Sequence, residues 1–131
     1  MDRIIEEDKP LEGDICGSCD LCIKACPTGA LEGPYLFNAK KCISYLTQKR
    51  DLLSYEEQRQ MGNHIYGCDI CQGACPQNNN VKHTDNNFRP QLHLASPKLK
   101  DVLKMTNWEF KEYFKPTAAG WRGKKILQRN A

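Results

Sequence analysis

Four cysteines lie close together near the N-terminal end of the sequence, in the stretch CGSCDLCIKACP. They are Cys16, Cys19, Cys22 and Cys26, separated by two, two and three residues, and Pro27 follows the last of them. Three thiolates this close together can ligate one iron–sulfur cluster, whereas the fourth, carried onward by a short helix, would point to a second cluster. We expect Pro27 to end that helix, because proline lacks the backbone N–H that a helix needs.

A second stretch, CDICQGACP, repeats this pattern with one cysteine fewer. Its cysteines are Cys68, Cys71 and Cys75, and Pro76 follows. Cys42 lies outside both stretches and supplies the missing ligand, so the eight cysteines form two groups of four. The sequence therefore predicts two [4Fe–4S] clusters, with the last cysteine of each stretch crossing to the other cluster. The first cluster would take Cys16, Cys19, Cys22 and Cys75, and the second would take Cys26, Cys42, Cys68 and Cys71.

Two other interpretations of the cysteines are weaker. A disulfide scaffold is typical of secreted proteins, but the N-terminal stretch MDRIIEEDKP is charged and lacks the apolar core of a signal peptide. Zinc sites also use CxxC pairs, but usually as two separated pairs and not as four cysteines within eleven residues. With reduced thiols, no export signal and no apolar stretch long enough to cross a bilayer, we expect a cytoplasmic protein.

Size and charge set further limits on the chain. Its 131 residues suit one domain, or one small domain and a piece of another. Aromatic residues make up 8% of the sequence, so the apolar core must be small and the cluster-free chain should be largely unfolded. Residues 1–35 carry eight acids and three bases, a balance of −5, so the overall charge of +3 leaves +8 on residues 36–131. The basic part is where an anionic partner would bind.

Local patterns predict short elements between the cysteine stretches. Gly33-Pro34 reads as the turn of a small hairpin. Asn38 would cap a helix that carries Cys42 and turns Ile43, Tyr45 and Leu46 toward the core. The sequence Ser54-Tyr55-Glu56-Glu57 is a capping box for a helix that runs to about Met61, with Gly62 after its end.

The C-terminal part has a different character. We expect Gln77 to Pro97 to be a linker without regular elements, because it is rich in Asn, His and Pro. A short helix follows, and the capping box Thr106 to Glu109 begins the next one, which Pro116 ends. The pattern of Trp108, Phe110, Tyr113 and Phe114 favours core residues over the alternative, a platform on which bases stack. Trp121 to Ala131 forms a basic amphipathic helix with no layer for Ile126 and Leu127, which suggests that the sequence is cut there.

Taken together, the motifs CGSCDLCIKACPTGAL, KCISYLTQ, NHIYGCDICQGACPQN, EFKEYF and WRGKKILQRNA resemble epoxyqueuosine reductases over nearly the whole chain. That family reduces an epoxide to an alkene on a tRNA wobble base, with a cobalamin beside two [4Fe–4S] clusters. The resemblance implies an α+β, mostly helical fold. A double-cluster, bacterial ferredoxin-type domain would occupy residues 1–97, and the start of a HEAT-like helical repeat domain would occupy 98–131.

The resemblance also implies a division of labour. In the family, a cobalamin-binding catalytic domain precedes the cysteine stretches and holds the acid that protonates the substrate, so no catalytic residue is assigned here. We expect the chain to be the electron relay of such an enzyme, monomeric and inactive alone, with epoxyqueuosine-carrying tRNA and a low-potential electron donor as partners. The alternative is a stand-alone ferredoxin-like electron carrier without a reaction of its own.

The basic C-terminal helix supplies the candidate tRNA contacts. A basic helix is usually a solvated surface, but because the family acts on tRNA the set is a candidate for phosphate contact. The set consists of Arg122, Lys124, Lys125 and Arg129. The three histidines, His64, His83 and His93, stand apart from other ligand-type residues, so we assign them no function.

Overall fold

The computed structural model describes residues 6–10, 12–81 and 91–131, and over these residues the chain is mostly helical. The described residues contain one sheet, a two-stranded antiparallel hairpin, so the predicted α+β, mostly helical class is confirmed. None of the described helices combines the length and the apolar character that a membrane span requires.

The first cysteine stretch leads into helix α1, Leu21–Ala25, which ends at Cys26 directly before Pro27, as predicted. The hairpin follows, with strand β1 at Leu31–Gly33 and strand β2 at Leu36–Phe37. Its turn lies at Pro34 and Tyr35, one residue later than the sequence predicted. Tyr35 adopts a φ of 59°, in the left-handed region that non-glycine residues rarely occupy.

The predicted cap at Asn38 is wrong. Asn38 precedes a 3₁₀ turn, Ala39–Lys41, and makes no side-chain cap. Its amide instead donates to Glu32 Oε1 at 3.0 Å, a carboxylate that the hairpin holds nearby. Cys42 itself precedes helix α2, Ile43–Leu46, in which Ile43 and Leu46 are buried. Tyr45, predicted to face the core, is exposed, because a helix of four residues buries only one narrow face.

Helix α3, Tyr55–Met61, begins with the predicted capping box. Ser54 Oγ accepts a hydrogen bond from the Glu57 amide at 3.2 Å, and Glu57 Oε2 accepts one from the Ser54 amide at 2.8 Å. Gly62 follows with a φ of 55°, in the region that glycine enters without strain. A small core of Ile43, Leu53 and Met61 joins α2 to α3.

The second cysteine stretch forms helix α4, Ile70–Gly73, which ends before Pro76. Pro76 begins a 3₁₀ turn, Pro76–Asn78. The expectation of no regular elements between Gln77 and Pro97 is wrong, because helix α5 occupies Leu92–Ala95. This helix is too short to give a periodic sequence pattern, and it forms where Leu94 packs on the C-terminal core. Residues 82–90 of the predicted linker, which include His83, lie outside the described residues.

The C-terminal helices close on each other. Helix α6, Leu99–Lys104, is followed by α7, Asn107–Glu109, with the predicted capping box from Thr106 to Glu109. A π-helical turn, Phe110–Phe114, continues α7, then comes a 3₁₀ turn, Ala118–Arg122. Helix α8, Lys124–Asn130, packs against α6.

The expectation that Leu127 lacks a packing partner is therefore wrong. Leu127 is 1% exposed and forms a core with Val102, Met105 and Phe114, because α8 folds back onto α6. Trp108 and Tyr113, both predicted to be core, are exposed, and their rings lie edge-on to each other. The assignment of these helices to a HEAT-like repeat domain, and the boundary at residue 97, remain predictions.

Candidate iron–sulfur centre

Four of the eight cysteines line one cavity. Helix α1 delivers Cys26 at its C-terminal end, the 3₁₀ turn before α2 delivers Cys42, and α4 and the residues before it deliver the other two. The four are Cys26, Cys42, Cys68 and Cys71, the set that the spacing grouped around the second cluster. Because α1 packs against α4, segments more than forty residues apart in the sequence meet at this point.

The walls of this cavity suit a thiolate-held cluster. Apart from the four thiols and the Thr28 hydroxyl, the lining side chains are apolar; they are Pro27, Ala30, Leu31, Phe37, Ile43 and Ile70. Among the described residues, no three His, Cys, Asp or Glu side chains converge closely enough to hold a single metal ion. The four thiols instead reach the cavity wall from three separate segments of the chain. A cavity with four thiol donors and otherwise mostly apolar lining side chains is chemically suited to a [4Fe–4S] cluster.

Polar groups around Cys26 favour its thiolate form. Burial acts to raise the pKa of this thiol, but the Thr28 hydroxyl and the backbone amides of Thr28, Leu31 and Ala30 outweigh it, and the pKa lies below its ordinary value. The Ala30 amide donates to Cys26 Sγ at 3.3 Å, and the Thr28 hydroxyl lies 3.6 Å from the same sulfur. The loop after α1 therefore presents hydrogen-bond donors to a ligand sulfur before any metal is considered.

Cys71 shows the opposite tendency. Burial raises the pKa of the Cys71 thiol, and the neighbouring Cys68 and Cys42 raise it further because negative sulfurs repel one another. Four thiolates confined in one apolar cavity are unfavourable without a compensating positive charge. A metal cluster would supply that charge, which is the reason such sites fold together with their metal.

The remaining four cysteines lie around the start of α1 and the end of α4. Cys16 and Cys19 are exposed on the loop before α1, Cys22 lies within α1, and Cys75 follows α4. The loop is ordered by Asp14, whose Oδ1 accepts hydrogen bonds from the Cys16 amide at 2.9 Å and from the Tyr35 hydroxyl. The bond to Asp14 raises the pKa of Tyr35 to about 12.

A buried polar network ties the C-terminal helix to the cysteine segments. The Asn130 side-chain amide donates to the carbonyl oxygens of Thr47 and Ile65, each at 2.7 Å. Thr47 is 0% exposed, and its hydroxyl accepts a hydrogen bond from the Gly67 amide at 3.1 Å. These contacts bring together the residues that follow the Cys42 helix and the residues that precede Cys68. Sequence analysis missed this network, because Asn and Thr give no local signal of a contact some eighty residues away.

The four basic candidates occupy different environments. Arg129 is committed to the fold: its Nη1 donates to the carbonyls of Lys49 at 2.6 Å and Asp51 at 2.8 Å, and its Nη2 to Leu46 at 3.1 Å. Lys124 Nζ lies 3.4 Å from the Met105 carbonyl oxygen, and Lys125 is exposed.

Arg122, the fourth candidate, stacks on the Trp121 ring, with the guanidinium carbon 3.6 Å from the ring centroid. Of the histidines, His64 Nδ1 lies 2.9 Å from the Met61 carbonyl oxygen, and His93 packs edge-on to Tyr113. Both contacts are structural ones.

The cysteine-bearing part of the chain resembles a known class of iron–sulfur domain. Residues 15–78 match the family described as a 4Fe-4S double cluster binding domain, and this span includes all eight cysteines. The chain therefore contains an iron–sulfur domain of the double-cluster type.

The particular resemblance is to epoxyqueuosine reductases. The chain is 48% identical to the epoxyqueuosine reductase of Bacillus subtilis over 127 residues, which are 96% of this chain and 33% of that protein. It superposes with a TM-score of 0.87 on an epoxyqueuosine reductase crystallised with an epoxyqueuosine-modified tRNA stem loop, at 48% identity, covering 95% of this chain and 33% of that one. The Streptococcus thermophilus enzyme gives a TM-score of 0.80 at 42% identity, covering 96% and 34%. The resemblance that the motifs indicated is confirmed, and the chain spans about one third of the length of these relatives.

Proposed function

We propose that this chain is the iron–sulfur electron-relay portion of an epoxyqueuosine reductase and passes electrons to a cobalamin that reduces epoxyqueuosine in tRNA to queuosine. The observation that carries the proposal is the apolar cavity lined by Cys26, Cys42, Cys68 and Cys71, in a chain similar to these enzymes over 96% of its length. A [4Fe–4S] cluster transfers single electrons, and two in series would deliver the two electrons that removal of an epoxide oxygen requires.

The protein's own residues would hold and tune the clusters. We assign Cys16, Cys19, Cys22 and Cys75 to one cluster and Cys26, Cys42, Cys68 and Cys71 to the other. The amides that stabilise negative charge on Cys26 would raise the reduction potential of the cluster that Cys26 holds, because hydrogen bonds to ligand sulfurs favour the reduced state. The apolar side chains around the second set would exclude water from the cluster.

The remaining parts of the reaction would belong to the parts of the relatives that this chain does not cover. We place the binding of cobalamin and the substrate's proton donor there, so the 131-residue chain should not reduce epoxyqueuosine-tRNA when reductant and cobalamin are added. Product formed by the purified chain would refute this assignment. We further propose that the partners of the protein are the tRNA and a low-potential electron donor. The protein would be cytoplasmic and monomeric.

Analysis of metal content in paired variants tests the cluster assignment. The chain purified without oxygen should contain about eight iron and eight labile sulfide per molecule. Cys42→Ser and Cys75→Ser should each lower both values to about four, because each removes a ligand from a different cluster. The doubly substituted chain should fall toward zero. If either single substitution removed all the iron, or if zinc replaced iron in the parent chain, the division into two independent sets would be wrong.

A stand-alone ferredoxin-like carrier is the second candidate, because the match to the double-cluster family covers residues 15–78 alone and needs no catalytic domain. The size of the native polypeptide separates the two. An antibody to KCISYLTQKR should detect a band about three times larger than this chain if the sequence is part of a reductase of the relatives' length. A band near 15.0 kDa would favour the small carrier.

A further inference from the structure

A cleft separate from the cysteines lies between the residues after α2 and the 3₁₀ turn before α8. Its volume is about 210 Å³. It is lined by Tyr45, Gln48, Lys49, Arg50, Asp51 and Arg122. Three of these six side chains are cationic and one is anionic, so the cleft carries a positive charge.

Arg122 is fixed in this cleft with a hydrogen-bond donor unused. Its guanidinium stacks on Trp121, and the Trp121 indole N–H donates to Gln48 Oε1 at 3.0 Å, which holds the stacked pair against the residues after α2. The Nε of Arg122 is inaccessible to water and has no hydrogen-bond partner among the described residues. Because water cannot reach this nitrogen, an incoming ligand could not reach it either, and a ligand would be bound through the Nη1 and Nη2 groups of the guanidinium.

The neighbouring charges select an anion as that ligand. Lys49 is already paired with Glu57 at 2.8 Å, which leaves Arg50 and Arg122 as the cations available to a ligand. A guanidinium presents a planar set of donors that matches the oxygens of a phosphate group. Asp51 is the one lining side chain that would oppose an anion.

Aromatic surfaces beside the cleft indicate what carries the phosphate. Trp121 is 60% exposed and Tyr45 is 44% exposed, so both offer ring surface to solvent next to the two arginines. Cations with exposed aromatic rings are the combination that binds single-stranded nucleic acid, where phosphates contact the cations and bases stack on the rings.

We propose that this cleft is an RNA-binding site in which Arg50 and Arg122 contact a backbone phosphate of a single-stranded loop. The inference rests on the proposed function, in which the partner is a tRNA, and it keeps Arg122 from the set of contacts predicted from sequence. Arg129 is excluded because backbone carbonyls occupy its guanidinium, and Arg50, from the cysteine-bearing part of the chain, takes its place.

Binding of a tRNA anticodon stem-loop to the cluster-loaded chain, followed by fluorescence anisotropy across a range of salt concentrations, tests this site. Arg50→Gln and Arg122→Gln should each weaken binding by about tenfold and reduce the salt dependence by about one counterion. Asp51→Asn should strengthen binding. Lys100→Gln is the matched control: it removes the same charge from an exposed position on α6 that does not line the cleft, and it should change affinity by less than about twofold.

The outcomes separate the site from the rest of the proposal. The proposed site would be refuted if the stem-loop bound with equal affinity to Arg50→Gln, Arg122→Gln and Lys100→Gln. It would also be refuted if the parent chain did not bind the stem-loop. Displacement of the stem-loop by inorganic phosphate at equal concentration would show a site for free anions and overturn the assignment to RNA. Iron and sulfide contents measured on the same samples report on the electron-relay function independently, so that function can stand when the RNA site fails, and the reverse.

Discussion

Replacing Asn130 with alanine should weaken the attachment of helix α8 to the cysteine-bearing segments. The Asn130 side chain is 5% exposed, and its amide donates to two carbonyl oxygens, those of Thr47 and Ile65, at 2.7 Å each. Thr47 follows the helix that begins after Cys42, and Ile65 lies three residues before Cys68. One side chain therefore joins three parts of the chain that are far apart in sequence.

The structure sets the size of the expected loss. Alanine removes both hydrogen bonds, each with a net contribution of about 1 kcal/mol, and leaves the Thr47 carbonyl without its partner in a residue that is 0% exposed. Since an unpaired buried acceptor costs about 1 to 3 kcal/mol, we expect the free energy of unfolding to fall by about 2 to 4 kcal/mol. A small domain has about 5 to 15 kcal/mol in total, so this loss is readily measured.

Urea unfolding of the cluster-loaded chain without oxygen, followed by circular dichroism, measures the effect. Asn63→Ala, at an exposed position, is the matched control and should lie within about 0.5 kcal/mol of the parent. Asn130→Asp keeps the size of the side chain and its contact with Arg129, but it cannot donate to the two carbonyls, so it should lose at least as much as alanine. If Asn130→Ala had the same free energy of unfolding as Asn63→Ala, the hydrogen bonds of Asn130 would not stabilise the contact between the three parts of the chain.

Two further predictions concern acid stability and close packing. The hydrogen bond from Lys49 is the largest of the effects that hold the pKa of Glu57 below its ordinary 4.5, so the stability that Glu57 contributes is present above about pH 4.5 and is lost as the pH falls through the folded-state pKa. Glu57→Gln should therefore flatten the fall in unfolding free energy between about pH 5 and 3, and an unchanged slope would contradict this. Gly120→Ala would place a methyl group against the backbone of Phe114, so thermal unfolding should show a loss of about 1 to 3 kcal/mol. Gly33→Ala, whose added carbon meets only a side chain at 3.6 Å, is the tolerated comparison, and equal melting temperatures for the two variants would refute the packing argument.

The sequence by itself determined the features that depend on near neighbours. Cysteine spacing indicated a double-cluster domain because the four cysteines of the first stretch lie within eleven residues. The family comparison supports that class. Both capping boxes were predicted correctly, since each is a reciprocal pair of hydrogen bonds between residues three apart. The grouping of thiols remains a proposal, and the structure places four of them around one cavity.

Tertiary structure decided the roles of the C-terminal residues. From sequence, Arg129 was a candidate phosphate contact and Leu127 had no packing partner. In the folded chain α8 lies against α6, so Leu127 is buried and the Arg129 guanidinium meets the carbonyl oxygens of Lys49 and Asp51. Charge and hydropathy along one helix describe only that helix, and what faces it depends on contacts across some eighty residues of chain. A basic side chain can therefore become part of the fold, and which arginines remain available to a ligand is settled only when the helices pack.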